Sequence, residues 1–243
     1  MIAFFRRNRG SSLLLIAASL IIFLVFMPLS VVINAAIPKT ASVTAKAVSG
    51  SIWRGVVADL KIGPLAMGRV ETALKIFPLF LARTDFHIDR SAGEGQPSLT
   101  GTMSSGLGSS ALRNVTGQIP LTMVDERLPL SRVELQDFSA RFESGRCRQA
   151  SGSVRLMMKP GGLSSLGLDS GFLGQARCDG NALLLPLVSQ SAMERADIRI
   201  SPGGSYTITI NIQNQNPQSA LLLTAYGFQP ISGGHRLIVK RQF

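Results

Sequence analysis

Hydrophobic and polar positions along this chain fall into two regimes. The first is a single apolar run. Leu13 to Ile33 reads LLLIAASLIIFLVFMPLSVVI, and no charge occurs between Arg9 and Lys39. As a helix rising ~1.5 Å per residue this run is about 30 Å long, enough to cross a bilayer core. Without a charged face it predicts a membrane-spanning helix rather than a buried core helix. Arg6, Arg7 and Arg9 precede it, and such a cationic flank stays in the cytoplasm. A cleaved signal peptide is the competing reading, with Ala35 and Ala36 as the small-residue site. The apolar part of a signal peptide is shorter, about 7–15 residues. The expected organisation is a cytoplasmic flank over 1–12, a transmembrane helix over 13–33 and a periplasmic β-rich domain over 34–243.

The second regime has a period of two. Tyr206, Ile208, Ile210 and Ile212 fall on one face, with Thr207, Thr209 and Asn211 opposite. That is the pattern of a half-buried antiparallel strand. In Arg132–Phe142 the apolar face starts as Val133 and Leu135 and continues as Phe138, Ala140 and Phe142. The face switches near Asp137, as a bulge would cause. Other short stretches rich in Val, Ile, Leu and Thr predict strands over 42–48, 50–62, 67–76, 84–90, 98–104, 151–158, 174–177, 182–188, 196–201 and 235–240. Gly50, Gly68, Gly101, Gly117 and Gly152 each precede a polar and then an apolar residue, which suits turns or bulges that open a strand. A meander of hairpins follows from this pattern.

Helix is sparse. Gln218–Tyr226 is the best candidate, with Asn216 as cap, Pro217 at the first position and Gly227 as the stop. A short turn is expected over 77–82, and loops over 93–97 and 159–169. The fold expected is mainly β: one N-terminal transmembrane helix, then a periplasmic antiparallel, curved β-sheet domain with a short C-terminal helix.

Charge narrows the classes of partner. Lys and Arg number 25 against 14 Asp and Glu, a formal net charge of +11. A basic surface suits anionic lipid, an acidic partner or nucleic acid. The cations are scattered, with no Lys/Arg run, one Trp and two Tyr, so nucleic acid is excluded as a partner. Two cysteines, Cys147 and Cys178, in an exported domain predict one structural disulfide. Closing a loop of that length stabilises by about 3–4 kcal/mol in the chain-entropy model. Two free buried thiols are the alternative.

The search for chemistry ends without a constellation. Asp85, His87 and Asp89 alternate on one predicted strand face. An acidic cluster with a His is a conceivable metal site, but the plainer reading is a solvent-facing strand edge. His235 is the second histidine and has no ligand-type residue at metal spacing. There is no GxSxG elbow, P-loop or HExxH. Ser104, Ser105, Ser109 and Ser110 lie among glycines and read as a flexible loop. Asn114-Val115-Thr116 matches a glycosylation sequon, a motif with a high chance rate. No catalytic residue, metal site or cofactor is expected, and the chain reads as a non-enzyme.

One segment is distinctive: Val48-Ser49-Gly50-Ser51-Ile52-Trp53-Arg54-Gly55, which holds the only Trp. Met67-Gly-Arg-Val and Leu74-Lys-Ile-Phe-Pro-Leu-Phe-Leu follow. Later come Cys147, Gly152-Ser-Val-Arg-Leu and Gly174-Gln-Ala-Arg-Cys178-Asp-Gly, then Ala220-Leu-Leu-Leu-Thr-Ala-Tyr-Gly227 and Gly233-Gly-His-Arg-Leu. In order and spacing, over most of the chain, this resembles protein N of type II (general) secretion pathways (GspN). The family often carries a Trp where Met67 to Ala73 has none. The resemblance implies a single-pass inner-membrane protein with a periplasmic β-rich domain. It further implies an accessory component with a structural role in export of folded proteins across the outer membrane. Its partners would be other components of the secretion assembly and the inner membrane. Gly50, Trp53 and Gly55 would be the structural motif, with Trp53 packing the first hairpin. In architecture the chain is also similar to AsmA-like envelope proteins, whose curved sheets carry lipid, which makes lipid or another hydrophobic ligand the alternative partner.

Overall fold

A computed structural model of the protein describes residues 15, 16, 18, 19, 22, 26–31, 43–62, 65–75, 83–91, 97–121, 130–159, 171–213 and 217–242. The expected turn over 77–82, the Asn216 cap and most of the two expected loops lie outside these residues.

The alternating sequence builds one sheet of sixteen strands, antiparallel at every described pairing. The first strands are β1 (Val43–Thr44), β2 (Ala47–Ser51), β3 (Arg54–Ile62), β4 (Leu65–Leu74) and β5 (Arg83–Arg90). The middle comprises β6 (Leu99–Gly106), β7 (Ser109–Pro120), β8 (Leu130–Glu143), β9 (Arg146–Met158), β10 (Phe172–Gln175) and β11 (Arg177–Asp179). The last are β12 (Ala182–Ser189), β13 (Glu194–Ile200), β14 (Ser205–Ile212), β15 (Gln229–Ile231) and β16 (Gly234–Gln242). Their spatial order is β1-β3-β4-β5-β6-β7-β8-β9-β10-β12-β13-β14-β16-β15, with β2 also on β3 and β11 also on β12.

Register sorts the side chains into two faces. One row runs Leu135, Val154, Gly174, Leu187, Ala196, Ile210, Leu237 across seven strands. All but Gly174 belong to, or pack on, one continuous apolar cluster that extends from Met67 to Val239. The opposite row, one residue on, runs Glu134, Arg155, Leu173, Val188, Arg195, Asn211, Arg236. The face switch in β8 sits at Asp137, which has φ 49°, with a register shift between Gln136 and Ser139. The tips of the β6–β7, β8–β9 and β13–β14 hairpins line one 510 Å³ cavity through Gly108, Gly145 and Gly204, beside Phe142 and Ile200.

The helix α1 (Pro217–Ala225) closes part of this face. It ends where the backbone turns left-handed at Gly227, φ 86°. Gly227 N–H donates to Thr224 O at 2.9 Å and Phe228 N–H to Leu223 O at 3.0 Å. This is a Schellman motif, and its accompanying apolar contact is supplied by Leu223 and Phe228. Both are buried in the main cluster.

Two expectations are corrected. Among the described residues no helix is long and apolar enough to cross a membrane. The transmembrane helix over 13–33, and the single-pass inner-membrane placement built on it, are withdrawn on that finding. Its described C-terminal end is engaged by protein. Pro28 bridges Ser51, Ile52 N–H donates to Met27 O at 3.2 Å, and Leu29 is buried against Gly55. The strand expected over 50–62 is instead a hairpin, with Ile52 and Trp53 as its two-residue turn.

Candidate functional site

The acidic alternation on β5 is not a solvent-facing edge. β5 lies between β4 and β6, and Asp85 is buried. Arg83 Nε lies 3.0 Å and Arg113 Nη1 3.7 Å from its carboxylate. His87 is half-buried and opposite Ala73 and Thr102. His235 is far along the sheet order on β16, facing Ile212. Among the described residues no group of three or more His, Cys, Asp or Glu could hold a metal ion.

The cysteines are joined. Cys147 on β9 and Cys178 on β11 share a disulfide, with Cα atoms 5.5 Å apart and a sequence separation of 31. The bond spans a place where ordinary pairing changes hands. β10 pairs β9 over Ser153–Leu156, while near Cys147 the partner is the β11–β12 turn, through Cys147 N–H to Asn181 O at 3.0 Å.

The Gly50–Gly55 segment forms the β2–β3 hairpin. Gly50 and Gly55 face each other in register, Ile52 is buried and Trp53 is half-buried at the tip. Leu29 takes the space over Gly55.

Arg90 carries no motif and was not singled out by sequence. It is 2 % exposed. Its Nε donates to Pro97 O at 2.8 Å, its Nη1 to Met67 O at 2.9 Å and its Nη2 to Gln118 O. One guanidinium thus fastens β4, the approach to β6 and the end of β7. Burial pushes its pKa down from the ordinary arginine value. Each of its three nitrogens thus donates to a main-chain carbonyl, which offsets the cost of burying the cation.

The described hydroxyl–carboxylate group, Ser189 and Ser191 on Glu194, closes the β12–β13 turn on itself. Beside it is an open 1170 Å³ pocket whose lining includes Met193, Arg195, Asn211, Ile231 and Arg236. Arg236 Nε donates to Asn211 Oδ1 at 2.7 Å. Among the described residues the neighbouring sheet edge is partly covered: β15 pairs β16 at Gly234, His235 and Arg236. A sequence signal marks this region, since no Asp or Glu occurs after Asp197.

No curated protein and no solved structure matches the chain. A family model does, that of type II secretion system protein N, over residues 41–238. The matched stretch runs from the first described strands to the middle of β16, most of the sheet. The chain belongs to the type II secretion system protein N family, whose members are structural, non-catalytic components of that system.

Proposed function

We propose that the chain acts as an accessory interaction subunit of type II secretion, supporting passage of folded proteins across the outer membrane by holding other components. The observation that carries this reading is where the polar chemistry goes. Asp85, Arg90 and Glu194 are spent on the sheet's own cohesion, whereas among the described residues β16 is paired on its outer side only at 234–236. Open edges and flat sheet faces recruit partners.

Deleting the gene tests the proposal. Folded exoproteins should accumulate inside the envelope while passage across the inner membrane continues, and complementation should restore release. Unchanged exoprotein distribution would overturn the reading. An AsmA-like lipid-binding role is the other reading. It is favoured by Met103 and Leu112, which pair across β6 and β7 and are both exposed on the face shared with Ala140. Stoichiometric lipid extracted from the gently purified chain, with secretion unchanged, would select it.

A further inference from the structure

We propose that the free edge of β16, residues 237–242, receives an extended acidic segment of a partner protein as an added β-strand. The inference rests on the interaction-subunit reading and names the surface it uses. β16 pairs with β14 along 235–242. On its other side β15 covers only 234–236, and no other described strand follows. Among the described residues no strand pairs this side of β16 from Leu237 onward, although Arg241 Nη1 donates to Lys240 O; alternate backbone N–H and C=O groups facing away from β14 there form a template for strand addition.

Side chains set the chemistry of the occupant. Leu237 and Val239 belong to the buried apolar cluster, so inward positions of the incoming strand must be apolar. Outward, Ile238 is 52 % exposed, with Lys240 exposed beside it on the same face. Arg236 lies on that face where β15 ends, with Arg195 and one carboxylate, Asp197, two strands further in. With no acid after Asp197, β14, β15 and β16 supply no carboxylate to Arg236 or Lys240. An added strand alternating apolar and acidic residues would place carboxylates beside these cations, where opposite cross-strand charges stabilise. A second copy of this edge is disfavoured, because it brings Arg236, Lys240 and Arg241 again and no acid. An anionic bilayer would meet the cations yet leave the backbone groups of the edge unpaired, which favours protein over lipid.

The test uses the full chain and two labelled heptapeptides, one alternating Val with Glu and one alternating Val with Lys. Fluorescence anisotropy reads affinity, and hydrogen exchange with mass spectrometry reads protection. The Glu peptide should bind at least tenfold more tightly than the Lys peptide and slow exchange within 237–242. Lys240→Glu alone should weaken Glu-peptide binding, and Arg236→Glu with Lys240→Glu should invert the preference. Circular dichroism should show both variants folded. Four results would overturn the proposal: no binding of the Glu peptide, equal binding of the two, protection elsewhere, or protection of 237–242 by phosphatidylglycerol vesicles or self-association instead of peptide. In cells, secretion lost on deletion but retained in the folded double variant would defeat this surface alone. Secretion unchanged on deletion would defeat the functional reading.

Discussion

Leu29 occupies the space that a side chain at position 55 would fill. A Cβ placed on Gly55 would fall well inside contact distance of Leu29 Cδ2, and Leu29 is 1 % exposed. The tail of the apolar run and the first hairpin fit as a projection and its recess. Gly55→Ala is expected to cost about 1–3 kcal/mol through overpacking, and Leu29→Ala about 2–5 kcal/mol through the cavity it leaves. The double variant should lose less than the sum, since the new methyl enters vacated space. Denaturant unfolding of the four proteins measures this, and additive losses would separate the two sites.

The Cys147–Cys178 bond restrains a chain segment of separation 31. Replacing both cysteines with alanine should lower stability by about 2–4 kcal/mol. Alkylation of the denatured protein should detect two more thiols after reduction than before. Two reactive thiols in the unreduced sample would show the bond absent.

Arg90 donates to carbonyls from three separate places in the chain. Arg90→Ala strands the buried Met67 acceptor and removes the part-buried bonds to Pro97 and Gln118, so a loss of about 1–3 kcal/mol or more is expected. Arg90→Lys should recover part of it, lacking the planar fork. The pH dependence has a definite sign. Burial lowers the folded-state pKa, so the cost of burying the charge applies wherever Arg90 is protonated. That cost lifts only at strongly alkaline pH, between the folded and unfolded values. Arg90 therefore adds no pH dependence near neutrality, and the wild-type and Arg90→Ala stability curves should run parallel from pH 6 to 9.

Asp85 and His87 should behave oppositely despite adjacent positions on one face. Asp85→Asn removes the charge that Arg83 and Arg113 face and should cost about 1–3 kcal/mol. His87→Ala should leave both stability and secretion nearly unchanged. Thermal unfolding and an exoprotein assay check the pair, and equal effects would contradict the assignment.

At the first turn, Ile52 should matter more than Trp53. Ile52 is 4 % exposed and Trp53 only half-buried. Ile52→Ala is expected to cost about 2–5 kcal/mol and Trp53→Ala less than the roughly 3–5 kcal/mol of a fully buried aromatic. Unfolding midpoints order the two.

Much of the sheet was legible wherever alternation was unbroken. β14 reads directly from Tyr206 to Ile212, and the Asp137 bulge showed as a change of apolar parity. The helix was marked by Pro217 and Gly227. β7 was missed because Ser109, Ser110 and Asn114 look like loop residues. Its parity is also broken by register shifts between Leu112 and Gly117, and pairing with β6 and β8 overrides its weak local preference. The β2–β3 turn was hidden because Ile52 and Trp53 carry no turn chemistry and Ile52 turns inward. The apolar run misled for a related reason: hydropathy does not distinguish lipid from protein as the surface that Leu29 meets. Arg90 left no trace, since its acceptors are main-chain carbonyls and any sequence supplies those.

From β3 to β10, and again from β12 to β14, the neighbour in space is the neighbour in sequence. Each new hairpin in these runs can thus be laid down against an edge that its predecessor has just finished, and the loop-closure cost rises only slowly with the length of the connection. Within these two runs assembly can follow the direction of synthesis, each growing edge being consumed by the next strand to emerge. The edge of β14 is taken by β16, and β16 in turn is paired on its far side by a described strand only at 234–236.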